Sequence, residues 1–382
     1  METSTCEDFD SMQPAGFIPA SEESIMKELT CLTFTLLSLL LNQAFACTTF
    51  CLHGKGEVLF GRNYDWTIGD ALVLVNKRGV AKTATIIDSD NGAKWLSKYG
   101  SVTFNQYGRE NPTGGMNEAG LVVEQMWLSD TAYPKVDARS AVGTQEWIQY
   151  LLDNSATTAE AIKNAEGLRI ESDVKVHYLI NDKAGNTASI EFLKGMMIVH
   201  TGASLATPTL TNDTYDNSLN YAKHTDVAKA NSNESLDRFT RAVKKTKEFE
   251  KRPLTDEQAV AYAFEVLSDV AQTNRSDTWT QWSIVYDQKR SRIYFRTLQS
   301  PQIKSVDIKA FDYSCGTPVK MFDMNAKESG DVTAKFIDYT LKANRDLIER
   351  SFNGTSFLKD TPPMARFYVA SYPASFKCSS IK

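Results

Sequence analysis

The chain has 382 residues, 42% hydrophobic and 23% charged, with a formal net charge of −5. This is an ordinary composition for a globular protein of one large or two smaller domains. The negative balance and the lack of any basic tract argue against a nucleic-acid partner, and nothing after residue 46 reads as a membrane helix.

Residues 1–25 precede a second plausible start, Met26-Lys27, and are set aside as an N-terminal extension. From Met26 to Ala46 the chain reads as a secretory signal peptide. Lys27 is basic, Leu32 to Leu41 is apolar apart from Thr and Ser, and Ala44-Phe45-Ala46 forms an A-x-A cleavage site. The apolar run falls short of the roughly 20 residues a membrane span needs. A lipoprotein signal usually carries Leu three residues before the cut, where Ala44 stands. Cleavage after Ala46 makes Cys47 the first residue of a mature domain, 47–382, and implies a periplasmic or secreted protein with no membrane association after signal removal.

Beyond Cys47, residues 48–52, 57–63, 71–77, 101–107, 120–128, 176–182, 187–193 and 196–201 alternate or run apolar. They are rich in β-branched and aromatic residues and separated by Gly, Asn or Asp turns, so strands are expected there. TQEWIQYLLDNSATTAEAIKNA, within 143–165, has helical spacing broken at Asn154-Ser155, with Thr157 or Thr158 as cap of the second piece. Helices are expected at 235–249 and 255–271, strands at 282–287, 292–298 and 304–309, and a last helix at 330–351 before a tail. Strands and helices in separate blocks imply an α+β sandwich. A C-terminal segment starts near residue 310.

Of six cysteines, Cys6 and Cys31 precede the cut, leaving Cys47, Cys51, Cys315 and Cys378. An oxidising compartment permits a Cys315–Cys378 bridge, which sequence alone leaves open. No second cysteine pair or histidine cluster completes a zinc site, so neither a metal nor another cofactor is expected.

An N-terminal cysteine holds a nucleophile and a base on one residue. The thiolate is the reactive form and its free pKa is about 8.5. An α-amine with a pKa of about 7.7–8.0 is partly neutral near pH 7, so it can take the thiol proton and later protonate a leaving amine. Threonine with its own amine is a known version of this pairing. His53 is the histidine nearest Cys47 in sequence and leaves a Cys–His hydrolase open, but it sits in a Gly-flanked turn without an orienting partner. His177, His200 and His224 read as packing or surface residues.

The run CTTFCLHGKGEVLFGRNYDW, residues 47–66, resembles the opening of the choloylglycine hydrolase family. These are N-terminal-nucleophile (Ntn) hydrolases that include penicillin V acylases and conjugated bile-salt hydrolases. The resemblance continues through GGMNEAGLVVEQMWL (114–128), LTND (210–213) and LDRFTRA (236–242), to about residue 310. It implies a four-layer αββα sandwich, two antiparallel sheets between helical layers, assembled as a homotetramer. It assigns Cys47 as nucleophile, Asp65 to orient its amine, Arg62 to lower the thiol pKa, Asn212 as oxyanion donor and Arg238 as electrostatic support. A backbone N–H of GLVVEQMW is the second oxyanion donor. Trp66 and Trp127 match tryptophans of the Gram-negative branch and are expected in the substrate site; the bile-salt branch carries Asn at the second position. The resemblance therefore implies a linear-amide hydrolase, a penicillin V acylase that also cleaves N-acyl-homoserine lactones. A conjugated bile-salt hydrolase is the alternative, and a non-catalytic secreted binding protein of the same fold is the alternative from another class.

Overall fold

A computed structural model describes residues 47–379 except 55, 86–90 and 274–277. The expected extension, 1–25, and signal peptide, 26–46, lie outside the described residues. The described α-helices are α1 (Thr144–Asn154), α2 (Thr158–Glu166), α3 (Tyr215–His224), α4 (Ser235–Phe249), α5 (Asp256–Asp269), α6 (Leu341–Asn353) and α7 (Pro363–Ser371). Five strands recur below: β1 (Thr48–His53), β2 (Val58–Trp66), β3 (Val122–Trp127), β4 (Val176–Asn181) and β5 (Trp279–Asp287).

Two large sheets stack face to face. The first has seven strands in the order Thr209–Leu210, β1, β2, β5, Arg292–Thr297, Lys304–Asp307 and Gly330–Asp331. The second has nine, running from Met196–Thr201 and Thr187–Leu193 through β4, β3, Gly114–Asn117, Ser101–Asn105 and Leu72–Asn76 to Lys320–Asp323 and Ile337–Asp338. Pairing within both is antiparallel, apart from a short parallel pair between Lys304–Ser305 and Gly330–Asp331.

Period-2 alternation decides which layer each side chain enters. Along β1, Phe50 and Leu52 pack with Phe249, Ala263, Val266 and Leu267 of the helices α4 and α5, whereas Cys47 and Cys51 enter the core between the sheets. On the second sheet, Val123, Tyr178 and Ile180 pack against Trp147, Ile148, Leu151 and Leu152 of α1, and Val122, Met126 and Leu179 enter the shared core. The result is helix, sheet, sheet, helix, as expected. Each fully buried aliphatic or aromatic side chain contributes roughly 1.5–3 kcal/mol relative to exposure, so the two sheets are held as one body. Gly61 makes room for a neighbouring ring in the first sheet. A Cβ there would collide with the ring of Phe50 on the facing strand.

The break expected at Asn154-Ser155 separates α1 from α2, and Thr157 caps the second piece by accepting from the Glu160 N–H. Thr255 and Gln258 close a capping box at α5. The helix expected over 330–351 is shorter: residues 330–340 are not α-helical, and only Thr333–Lys335 forms a 3-10 turn. Gly330–Asp331 and Ile337–Asp338 are sheet-edge strands, and α6 starts only after Thr340, whose hydroxyl accepts from the Ala343 N–H. The expected tail contains α7, and α3 follows the LTND turn unforeseen. Cys315 and Cys378 are joined in a disulfide, and the short strand Lys377–Cys378 pairs with Val80–Thr83.

Candidate active site

Cys47 enters β1 at the edge of the inter-sheet core and is 4% exposed. Its sulfur lies 4.0 Å from the backbone oxygen of Asp65. It lines a chamber of 210 Å³ together with Arg62, Tyr64, Trp66, Gln125, Met126 and Trp127. Strand alternation explains this company. Arg62, Tyr64 and Trp66 are successive even-numbered residues of β2 and share the face that looks across at β3.

Arg62 is fully buried. Nη1 donates to the Thr113 carbonyl at 3.1 Å and to the Glu124 carboxylate, and Nη2 donates to the Gln125 carbonyl at 2.9 Å. The guanidinium also lies 4.8 Å from the Tyr64 ring centroid. Glu124, on β3, accepts as well from the Tyr286 hydroxyl of β5. It is accommodated by Gly114 on the neighbouring strand, where a Cβ would collide with the carboxylate. Sequence reasoning missed Glu124. The signal was a lone charge in the apolar strand VVEQMW opposite a Gly-Gly pair.

Asn212 and Arg238 meet Cys47 from the other side. The Cys47 N–H, a peptide nitrogen in the full chain, donates to Asn212 Oδ1 at 2.5 Å. Arg238 Nη2 donates to the same oxygen at 2.8 Å, and its Nη1 donates to the Cys47 carbonyl at 2.6 Å and to the Thr48 hydroxyl. Asn212 Nδ2 donates to the Trp127 carbonyl at 2.9 Å. Three partners thus agree on which end of the amide is oxygen, and the second Nδ2 hydrogen completes the donor set of the group. The turn itself is held from below. The Asn212 N–H donates to Ser235 Oγ at 2.9 Å, and buried His177 bridges Glu191 and the Thr211 carbonyl at 3.0 and 2.7 Å. His177 is therefore a core residue that supports the Asn212 turn.

Asp65 lies beside Cys47 through its backbone oxygen, while its carboxylate Oδ1 accepts from the Thr280 hydroxyl at 2.5 Å. A β-bulge between Thr280 and Trp282 in β5 brings Thr280 opposite Asp65. His53, at the far end of β1, faces Gly185 and lies 3.3 Å from Asn181 Nδ2, and it is not among the chamber residues. Among the described residues no group of three or more His, Cys, Asp or Glu could hold a metal.

Burial raises the Cys47 thiol pKa. The charges of Arg62 and Arg238 and the Asp65 backbone contact oppose that rise, and the Asp65 charge adds to it. The expected lowering by Arg62 is present but outweighed. Burial pushes the Glu124 carboxyl up to about 7 against the pull of Arg62 and Tyr286.

The aromatic wall contains both expected tryptophans. The Trp66 and Trp127 rings are 6.4 Å apart at 44°, and Trp66 Nε1 donates to the Tyr107 hydroxyl at 2.8 Å. Asn111, Gln145 and Val174 line both this chamber and a larger groove of 910 Å³ whose lining includes Lys135, Arg169 and Glu171.

The sequence model of "Linear amide C-N hydrolases, choloylglycine hydrolase family" matches residues 47–235 and 230–321. A penicillin V acylase of Pectobacterium atrosepticum is 25% identical over 340 residues, 76% of this chain and 88% of its own. The solved structure of penicillin V acylase from Agrobacterium tumefaciens aligns with a TM-score of 0.69 at 28% identity, covering 77% of this chain and 98% of its own. A single-residue variant of conjugated bile acid hydrolase from Clostridium perfringens aligns with a TM-score of 0.62 at 18% identity, over 74% of this chain and 98% of its own, a likeness of fold.

Proposed function

The chain belongs to the choloylglycine hydrolase family of linear amide C–N hydrolases, and within that family we propose that it is an acylase of the penicillin V type with activity on N-acyl-homoserine lactones. Cys47, freed by cleavage after Ala46, is the nucleophile. Its α-amine takes the thiol proton as sulfur attacks the amide carbonyl carbon. The oxyanion is held by Asn212 Nδ2 and a backbone N–H of β3. The C–N bond then breaks, and the amine leaves with the proton returned to it. Water, deprotonated by the same α-amine, attacks the thioester, and its collapse releases the acid and restores the thiol. Asp65 orients the amine, and Arg62 and Arg238 supply positive potential.

The observation that carries this reading is convergence. Cys47 and Arg62 line an apolar chamber walled by Trp66 and Trp127, and Asn212 and Arg238, from two further segments, hydrogen-bond to the Cys47 backbone. Pockets for drug-sized ligands are usually roughly 300–1,000 Å³. A chamber of 210 Å³ therefore suits a compact acyl group, with the rest of the substrate outside in the adjoining groove. That favours phenoxyacetyl over a steroid acyl group.

The Cys315–Cys378 disulfide supports an oxidising, periplasmic or secreted location. No described helix is long and apolar enough to cross a membrane. The assembly we propose is a homotetramer, to be checked by light scattering. The deciding experiment is a parallel hydrolysis panel of penicillin V, acyl-homoserine lactones and glycine- or taurine-conjugated bile acids. It uses protein whose N-terminus has been shown by mass spectrometry to be Cys47. Hydrolysis of bile conjugates alone would overturn the substrate assignment, and hydrolysis of none would overturn the activity.

A further inference from the structure

The family match ends at residue 321, yet four residues of the Cys47 chamber lie beyond it: Phe352, Phe357, Leu358 and Val369. They come from the end of α6, the loop 354–362 and α7. We propose that this C-terminal segment is a specificity cap, and that Phe357 with Leu358 selects ring-bearing acyl groups over straight-chain ones. The proposal rests on the acylase reading above and deepens it.

The cap has a firm frame and a loosely held tip. Asn344 of α6 accepts from the Arg109 N–H at 2.8 Å and donates to the Ala370 carbonyl of α7 at 2.9 Å, so one amide ties both helices to the body. Ile348, Phe352 and Ala370 form a small core with Tyr107. The Thr355 hydroxyl is 2.9 Å from the Tyr107 hydroxyl, which in turn accepts from Trp66 Nε1. Past α7, Cys378 ties the chain back through the disulfide to Cys315. The loop between the helices is thereby positioned over the chamber, and Phe357 at its tip is still 51% exposed.

That tip stands edge-on to Trp66, with ring centroids 6.5 Å apart and planes at 86°. Trp66 also faces Trp127. Three aromatic rings from β2, β3 and the cap thus surround a compact apolar space. Edge-to-face contacts reward an inserted ring beyond its buried area, and a flexible chain gains no such term.

The test compares two amides of one amine, phenoxyacetyl and n-decanoyl, using the mature enzyme and Phe357→Ala. The expected result is a fall of about tenfold in the ratio of kcat/KM, phenoxyacetyl over decanoyl, carried mainly by KM. This is the size of discrimination one methylene achieves in an apolar pocket. Leu358→Ala provides the same readout should the first variant fail to fold. A ratio within twofold of wild type in a folded variant overturns the cap and leaves the acylase reading intact. Failure of the wild-type enzyme on both amides overturns the acylase reading and the cap with it.

Discussion

Asn212 offers the sharpest test of the proposed chemistry because its two amide ends do different work. Oδ1 accepts from the Cys47 nitrogen and from Arg238, while Nδ2 donates to the Trp127 carbonyl and is the proposed oxyanion donor. Asn212→Asp keeps the shape and both acceptor contacts, now charge-assisted, but removes the donor to the Trp127 carbonyl and to the proposed oxyanion and adds a negative charge there, so the loss of one donor sets the minimum effect. Losing one oxyanion donor costs about 10²–10³ in turnover, or roughly 2.7–4 kcal/mol of transition-state stabilisation. Because the contact forms only as charge develops on the carbonyl oxygen, the loss should fall on kcat and leave KM nearly unchanged. Asn212→Ala removes the acceptor that the Cys47 N–H and Arg238 Nη2 share, at a further cost of about 1–3 kcal/mol in stability. Steady-state kinetics on a phenoxyacetyl amide, with urea unfolding of each variant, separate the two effects. If Asn212→Asp retains more than a tenth of wild-type kcat while Asn212→Ala does not, Asn212 is a scaffold for Cys47 and Arg238, and the oxyanion assignment fails.

Protein that retains residues 1–46 should show no turnover until they are removed. Full activity with an acylated Cys47 nitrogen, seen by intact-mass measurement, contradicts the amine-base mechanism. Replacing Cys315 and Cys378 together by Ser opens a loop with a sequence separation of 63, for which the chain-entropy relation gives a loss of about 4 kcal/mol; unchanged urea unfolding would refute that. Glu124→Gln tests a linkage. The Glu124 pKa is raised from 4.5 to about 7, so the folded state holds a proton that the unfolded chain has released. Its stabilising contribution is complete below 4.5 and lost as pH rises through about 7. The variant should therefore lose less Tm than wild type over that interval, and parallel Tm–pH curves would count against the burial argument. His53→Ala should keep near-normal kcat/KM, since His53 packs on Gly185 outside the chamber; loss of turnover with an intact fold would instead favour a Cys–His enzyme.

What could be read from sequence followed the range of the interactions. The alternation that sends Phe50 and Leu52 to the helices and Cys51 to the inter-sheet core is local, and so are the Thr157 and Thr255 caps. The residues around Cys47 were legible because their order and spacing form a pattern, although they meet only in three dimensions. Glu124 was not legible. Its place depends on Arg62, Tyr286 and a missing Cβ at Gly114, on three other strands. The C-terminal segment was misread because helical spacing in 341–351 was extended back across Thr340. There, pairing of Ile337 with Met321 and capping by Thr340 hold the chain out of the helix. α7, behind Pro362-Pro363, carries exposed Met364, Phe367 and Tyr368 and so lacks the clean two-sided pattern of a surface helix.

The electrostatics of the site constrain which proton acceptor the reaction can use. Two guanidiniums flank Cys47, and each favours a thiolate. Even so, burial dominates and the thiol pKa is raised. Burial therefore favours the protonated sulfur, against the positive potential of the two guanidiniums. A base must take the proton as the carbon–sulfur bond forms. None of the described histidines lines the chamber. Glu124, though its pKa lies near neutrality, is held between Arg62 and Tyr286. Arg62 and Arg238 are cations and cannot accept. Asp65 turns its backbone oxygen to the sulfur while its carboxylate accepts from Thr280, and the acceptor in the proposed mechanism is the nitrogen of Cys47 itself, beside Asn212 Oδ1. As a peptide N–H it can only donate, whereas as a free amine it can donate to Asn212 and still present a lone pair to its own thiol. On the proposed mechanism the same burial that makes the sulfur a poor acid would tie catalysis to a cut after Ala46, and removal of residues 1–46 would convert a silent site into a working one.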